Sequence, residues 1–319
     1  MIKLRRSSAA FLLFLLAPLF GQSPVASFDQ TRPNDYRFLE DVNLVVLGVA
    51  VLERDGGFAT GLSKDDFKIY ENGRPQQMKF FHAEDVPVDV GLVVDGSGSM
   101  RPKRSETIEA ALSFIQYSNP KDEMFVINFN EKVYSGLLPP KLFTDNVNEL
   151  QSALVRSPDA GRTALYDAIA AGLGRLGQGS RDKKVLIVFS DGGDNASRRS
   201  LRDVLKLAEQ SDAIIYAIGL FDEQDHDRNP GVLKRLARLT GGEAYLPNLA
   251  DAGRDRDLDS ICRRIAKDIR NQYTIGYLPS TEGAGYRTIK VVAEAPGRRK
   301  LFVRTRAGYT PPAANPQSP

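Results

Sequence analysis

Val88-Asp-Val-Gly-Leu-Val-Val-Asp-Gly-Ser-Gly-Ser99 joins a nearly continuous apolar run to a turn of glycine and serine. Such a run reads as a strand buried on both faces. Side chains two apart on extended chain point the same way. Asp95, Ser97 and Ser99 can therefore present three oxygens to one point. Gly96 and Gly98 remove the Cβ atoms that would hold backbone away from that point. One carboxylate and two hydroxyls make a hard-oxygen set, suited to Mg²⁺, Mn²⁺ or Ca²⁺ rather than to zinc. Taken alone, the same residues also describe a strand-to-helix turn whose serines satisfy backbone donors.

Working outward, apolar runs recur at residues 124–129, 185–189 and 213–220. Helical periodicity fills the gaps: Ile108, Ala111, Leu112 and Ile115 share one face, Leu165, Ile169 and Leu173 another, Val204, Leu205 and Ala208 a third. The alternation predicts an α/β fold, a doubly wound and mainly parallel sheet of Rossmann-like form. Ligands of such sheets bind beyond the carboxyl ends of the strands, where strand order reverses. Asp95 ends the first run, and Ser190-Asp191-Gly192-Gly193-Asp194 follows the third. If the two aspartates are neighbours, the metal lies at that reversal. A last amphipathic face, Leu258, Ile261, Cys262, Ile265 and Ile269, reads as core packing.

The flanks change period. Residues 41–83 read as strands and turns, with Asn72-Gly73 as a hairpin signal and 77–82 as its return strand. Strand patterns come back at 273–278, 287–292 and 300–305. Each flank has too few strands for a stable sheet pair. The expectation is one small β-sandwich built from both, with the α/β domain inserted; the alternative is two separate appendages. Arg298-Arg299-Lys300 reads as protection of a sheet edge.

Asp95-x-Ser97-x-Ser99, then Gly161-Arg-Thr-Ala-Leu-Tyr-Asp167, then Ser190-Asp-Gly192 resembles, in order and spacing, the von Willebrand factor type A domain, over roughly residues 86–271. The resemblance implies a metal-ion-dependent adhesion site with Asp95, Ser97, Ser99, Thr163 and Asp191 as its ligand positions. None departs from the family pattern. It implies a divalent cation, Mg²⁺ first with Mn²⁺ or Ca²⁺ as alternatives, and a Thr163 whose engagement depends on loop position. Gly61–Phe67, Gln272–Tyr277 and Gly308-Tyr309 further resemble the flanks of a secreted bacterial family with a related domain. The domain reading is then a signal peptide at 1–27, a linker at 28–40, a β-rich segment at 41–85, the type A domain at 86–271, a second β-rich segment at 272–310 and a disordered tail at 311–319.

Around the site, a helix starting near Pro102 is expected to turn its positive end toward an incoming anion. Asp194 reads as the cap of the helix that follows it, and Asp167 as an acid suited to a helix start. Asp222, Glu223, Asp225 and Asp227 crowd one loop; they read as a solvated acidic loop, because the spacing lacks the Gly and final Glu of a calcium loop.

Lys3, Arg5 and Arg6 precede an apolar stretch and a small-residue region, the layout of a secretory signal peptide. An uncleaved anchor is the alternative; no stable membrane insertion is expected after cleavage, and the destination is periplasm, cell surface or medium. Removing those three cations from 43 leaves 40 basic against 40 acidic residues. A net charge near zero gives a nucleic-acid partner no support. Cys262 is the sole cysteine, so the chain forms no internal disulfide.

Two charged and three neutral ligands would leave a divalent cation electrically balanced, with a position open to a carboxylate. The function expected is a secreted, non-enzymatic binding or adhesion module that docks a Glu or Asp of a protein partner through the ion. The rivals are a metal-dependent hydrolase and a scaffold that makes its contacts through the sandwich. His82 and His226 have no motif placing them beside Asp95, and neither serine has an evident base.

Overall fold

The computed structural model describes residues 44–83, 85–156, 158, 160–220, 228–247, 258–280 and 285–311. The signal peptide, the linker, the acidic loop at 222–227 and nearly all of the tail lie outside the described residues.

Strands β1 (Val45–Leu52), β2 (Phe67–Glu71), β3 (Arg74–Gln76) and β4 (Met78–His82) come from the amino-terminal flank. Next come β5 (Asp89–Asp95), α1 (Arg104–Tyr117), β6 (Glu123–Phe129), β7 (Val133–Ser135), α2 (Val147–Val155), α3 (Leu165–Leu176), β8 (Lys184–Ser190), α4 (Leu201–Gln210), β9 (Ile214–Gly219), α5 (Pro230–Thr240), β10 (Ala244–Tyr245) and α6 (Leu258–Asn271). The carboxyl-terminal flank adds β11 (Tyr273–Tyr277), β12 (Arg287–Ala293), β13 (Phe302–Arg304) and β14 (Gly308–Tyr309).

The central sheet runs β10-β9-β8-β5-β6-β7, parallel except for β7. Every residue of β5 and β9 is buried, as a strand covered on both faces must be. Its neighbours crowd β5 closely: a Cβ on Gly91 would press on Phe125 and Leu186. Helix α3 packs on β5, β6 and β8, followed by α4 and α5; α1 packs against α6 and α2. The amphipathic faces expected from the sequence point into this core, with Cys262 and Ile265 fully buried. From β5 the chain goes to β6 on one side and later to β8 on the other. The order therefore reverses at β5.

The flanks form two further four-stranded sheets, β13-β1-β11-β4 and β14-β12-β2-β3. Each sheet mixes strands from both ends of the chain, for example Val45 against Tyr277 and Val291 against Ile69. Their shared core includes Leu47, Val49, Ile69, Tyr273, Ile275 and Val291. The β-sandwich made of both flanks is thus present. Inside it Glu71 accepts the hydroxyls of Tyr277 and Tyr309, at 2.7 and 3.0 Å, and faces Arg287 at 3.4 Å. Arg298 of the basic stretch pairs with Glu53 and donates to the Thr60 carbonyl.

One sequence expectation is corrected. The Asn72-Gly73 turn, with φ of +49° and +77°, returns as Arg74–Gln76 and not as 77–82. Pro75 lacks an amide donor and suits only a short edge strand, and Met78–His82 instead crosses to the other sheet and pairs with β11. The helix after the glycine–serine turn begins close to Pro102, as expected, and is built in two parts. A 3-10 helix already covers Gly98–Lys103, with Met100 N donating to the Ser97 carbonyl, and the α-helix proper starts at Arg104. No described helix is long and apolar enough to cross a membrane.

Candidate metal centre

Strands β5 and β8 lie side by side, with Val94 opposite Phe189. Asp95 and Ser190 therefore leave the sheet together at its carboxyl end. The Ser190 hydroxyl donates to Asp95 Oδ2 at 2.7 Å, and the Ser97 amide to Oδ1 at 2.9 Å. One residue on, Asp191 accepts the Gly193 amide at 2.9 Å and the Ser99 hydroxyl at 2.5 Å. The Ser97 and Ser99 hydroxyls stand 3.3 Å apart. Gly192 needs its positive φ of 82°, and a Cβ there would collide with the Asn229 carbonyl. Four of the five expected positions, Asp95, Ser97, Ser99 and Asp191, are thus brought together by direct hydrogen bonds.

Thr163 reaches the group differently. Its neighbour Gly161 accepts the Gly98 amide at 3.0 Å, and Thr163 itself is buried. Among the described residues its hydroxyl bonds to none of the other four. Its backbone is fixed to the loop after Asp191: its amide donates to Asn195 Oδ1 at 2.9 Å, and its carbonyl accepts the Asn195 and Ala196 amides, each at 2.9 Å. Asn130 holds the other end, through Ala164 N to its carbonyl and its side chain to the Ala160 carbonyl.

The helix caps tie the same two loops. Asp194 does not cap the helix that follows it. Ser200 does that, in a capping box with Asp203. Asp194 instead accepts the Tyr166 amide at 2.9 Å, and so caps α3, while also accepting the Ser197 hydroxyl at 2.6 Å. Asp167, in the first turn of α3, returns the interaction by accepting the Arg198 amide at 2.9 Å and pairing with Arg199 at 3.0 Å. Sequence reading gave no role to Ser190, Asn130 or Asn195. A polar residue flanking each motif was the available signal, but the partner lies on another segment in every case.

Asp95 and Asp191 are 4% and 2% exposed, and among the described residues the hydrogen bonds to their carboxylates come from neutral hydroxyls and amides. Burial first, and then the Asp191 charge, pushes the Asp95 carboxyl up to about 7. Two buried acids with neutral donors and hydroxyl neighbours form an arrangement whose chemistry suits a hard divalent cation. Among the described residues no group of three or more His, Cys, Asp or Glu is placed to hold a metal. The donors at this end of the sheet are two carboxylates and hydroxyls. His82 lies on β4, in the sandwich.

The family model of the von Willebrand factor type A domain matches residues 89–300, well over half of the chain. No curated protein matches it. Solved structures that resemble it include a von Willebrand factor type A protein from Catenulispora acidiphila, at 14% identity and a TM-score of 0.47, over 86% of this chain and 76% of that one. The vWF domain of the type V pili tip protein Mfa5 from Porphyromonas gingivalis is similar at 14% identity and 0.47, over 58% and 97%. BatB from Bacteroides thetaiotaomicron is similar at 16% and 0.44, over 57% and 98%. The match begins at the first strand of the parallel sheet and runs into the second flank, and the chain belongs to the von Willebrand factor type A domain family.

Proposed function

We propose that this protein is an exported binding module that holds a divalent cation at Asp95, Ser97, Ser99, Thr163 and Asp191 and takes a carboxylate of a protein partner there. The observation that carries the reading is the pair of buried aspartates, on adjacent strand ends, with no cationic group among their hydrogen-bond donors. Mg²⁺ is the first choice, with Mn²⁺ and Ca²⁺ as alternatives. A bound ion supplies a Lewis-acidic position for an oxygen anion. The chain's own residues do the rest. Ser190 and the Ser97 amide orient Asp95, the Gly193 amide orients Asp191, and Asn195 and Asn130 fix the Thr163 segment. Export follows from the signal layout of residues 1–27. The role proposed is non-enzymatic: among the described residues the one cysteine, Cys262, is fully buried in α6, and Ser97 and Ser99 are assigned as ligands of the ion.

Calorimetric titration of the chain from Phe28 with Mg²⁺, Mn²⁺ and Ca²⁺ tests this. Saturable one-site binding is expected, and Asp191→Ala is expected to abolish it. No heat from any of the three ions, or undiminished binding in the variant, would sink the reading.

A further inference from the structure

Each of the three segments that carry the proposed ligands also carries an exposed arginine. Arg101 follows Ser99 by two positions, Arg162 directly precedes Thr163, and Arg198 lies on the loop after Asp191. Backbone hydrogen bonds hold the segments together, through Gly98 to Gly161 and Thr163 to Asn195. The described acids beside them are engaged by other groups. Asp194 caps α3, Asp167 binds the 198–199 backbone and Arg199, and Glu131 accepts the Arg162 amide. Neighbouring arginines are committed too: Arg104 donates to the Val155 and Pro158 carbonyls. The side chains of Arg101, Arg162 and Arg198 form no ion pair among the described residues.

We propose that the partner presents a cluster of acidic residues, an extended Asp/Glu-rich segment. One carboxylate meets the cation, and its neighbours are taken by Arg101, Arg162 and Arg198. The proposal rests on the cation reading above and adds the partner's chemistry to it. Guanidinium is the side chain best matched to carboxylate, with a rigid fork of donors. Three positive charges beside a cation site make it harder to hold the ion alone, and an incoming polyanion reverses that penalty. Ion and acidic segment therefore bind cooperatively. Exposed pairs of this kind are each worth roughly twofold in affinity, and three together about tenfold.

The experiment uses a Glu-rich synthetic peptide and the same peptide with all but one Glu changed to Gln. Their affinities are measured on the Mg²⁺-loaded chain and on a variant carrying Arg101→Gln, Arg162→Gln and Arg198→Gln. The Glu-rich peptide should bind the parent chain about tenfold more tightly than its control. The triple variant should lose that preference while holding Mg²⁺ at least as tightly as the parent. Equal affinities for the two peptides, a preference that survives in the variant, or no measurable binding of the Glu-rich peptide would overturn the proposal. So would tighter binding of a sulfated oligosaccharide. Absence of Mg²⁺ binding by the parent chain would instead sink the cation reading.

Discussion

Glu71 in the sandwich and Asp95 in the α/β domain are both buried carboxylates, 1% and 4% exposed, but their surroundings are of opposite kinds. Glu71 faces the guanidinium of Arg287 and accepts two tyrosine hydroxyls. Burial raises the Tyr309 hydroxyl to about 12, so it stays a donor. That site carries its counter-charge within the chain, and it ties β11 of one sheet to β2, β12 and β14 of the other. Asp95 has a second buried acid beside it and only neutral donors. Burying charge without a partner is costly. The sandwich meets that cost with a residue of its own, whereas under the proposed function the α/β domain meets it with a cation from solution. On that proposal, the difference separates a site that holds the molecule together from one that receives an ion.

The comparison breaks most sharply at Glu71. Glu71→Ala removes the buried carboxylate that faces Arg287 and accepts two tyrosine hydroxyls, and the expected loss is roughly 3–5 kcal/mol in denaturant unfolding. A loss below about 1 kcal/mol would mean that the sandwich does not depend on the pair. A smaller effect is expected where the α/β domain uses its own polar groups to position the site. Asp194→Ala removes the cap on Tyr166 and frees Ser197, at about 1–2 kcal/mol. Because the same loop fixes Thr163, cation affinity should fall with it. Weakened stability with unchanged cation affinity would show that the site does not need the Thr163 segment in place.

Much of this was legible in the residues, because it rests on local period. Runs such as 185–189 announce buried strands, and Leu165, Ile169 and Leu173 announce a helix face; both match the structure. The meeting of Asp95 and Asp191 fits the strand alternation and the reversal of sheet order. The misses have a common cause, since each depends on a partner far along the chain. Asp194 reaches back 28 residues to Tyr166, and Ser190 reaches 95 to Asp95. The strand 78–82 was legible as a strand, but its pairing was not. The hairpin signal at Asn72-Gly73 fixes only the next three residues, and the long-range ladder to β11 claims the rest.

The most direct measurement is chemical denaturation of the chain from Phe28 in Mg²⁺ and in chelator, beside Asp95→Asn. With Mg²⁺ at about a hundred times its Kd, the parent chain should gain about 2.7 kcal/mol over the chelated state. Asp95→Asn should gain nothing and, with one of two buried like charges removed, should be no less stable than the parent in chelator. Equal gains in both proteins, or none in either, would contradict a cation at Asp95 and Asp191.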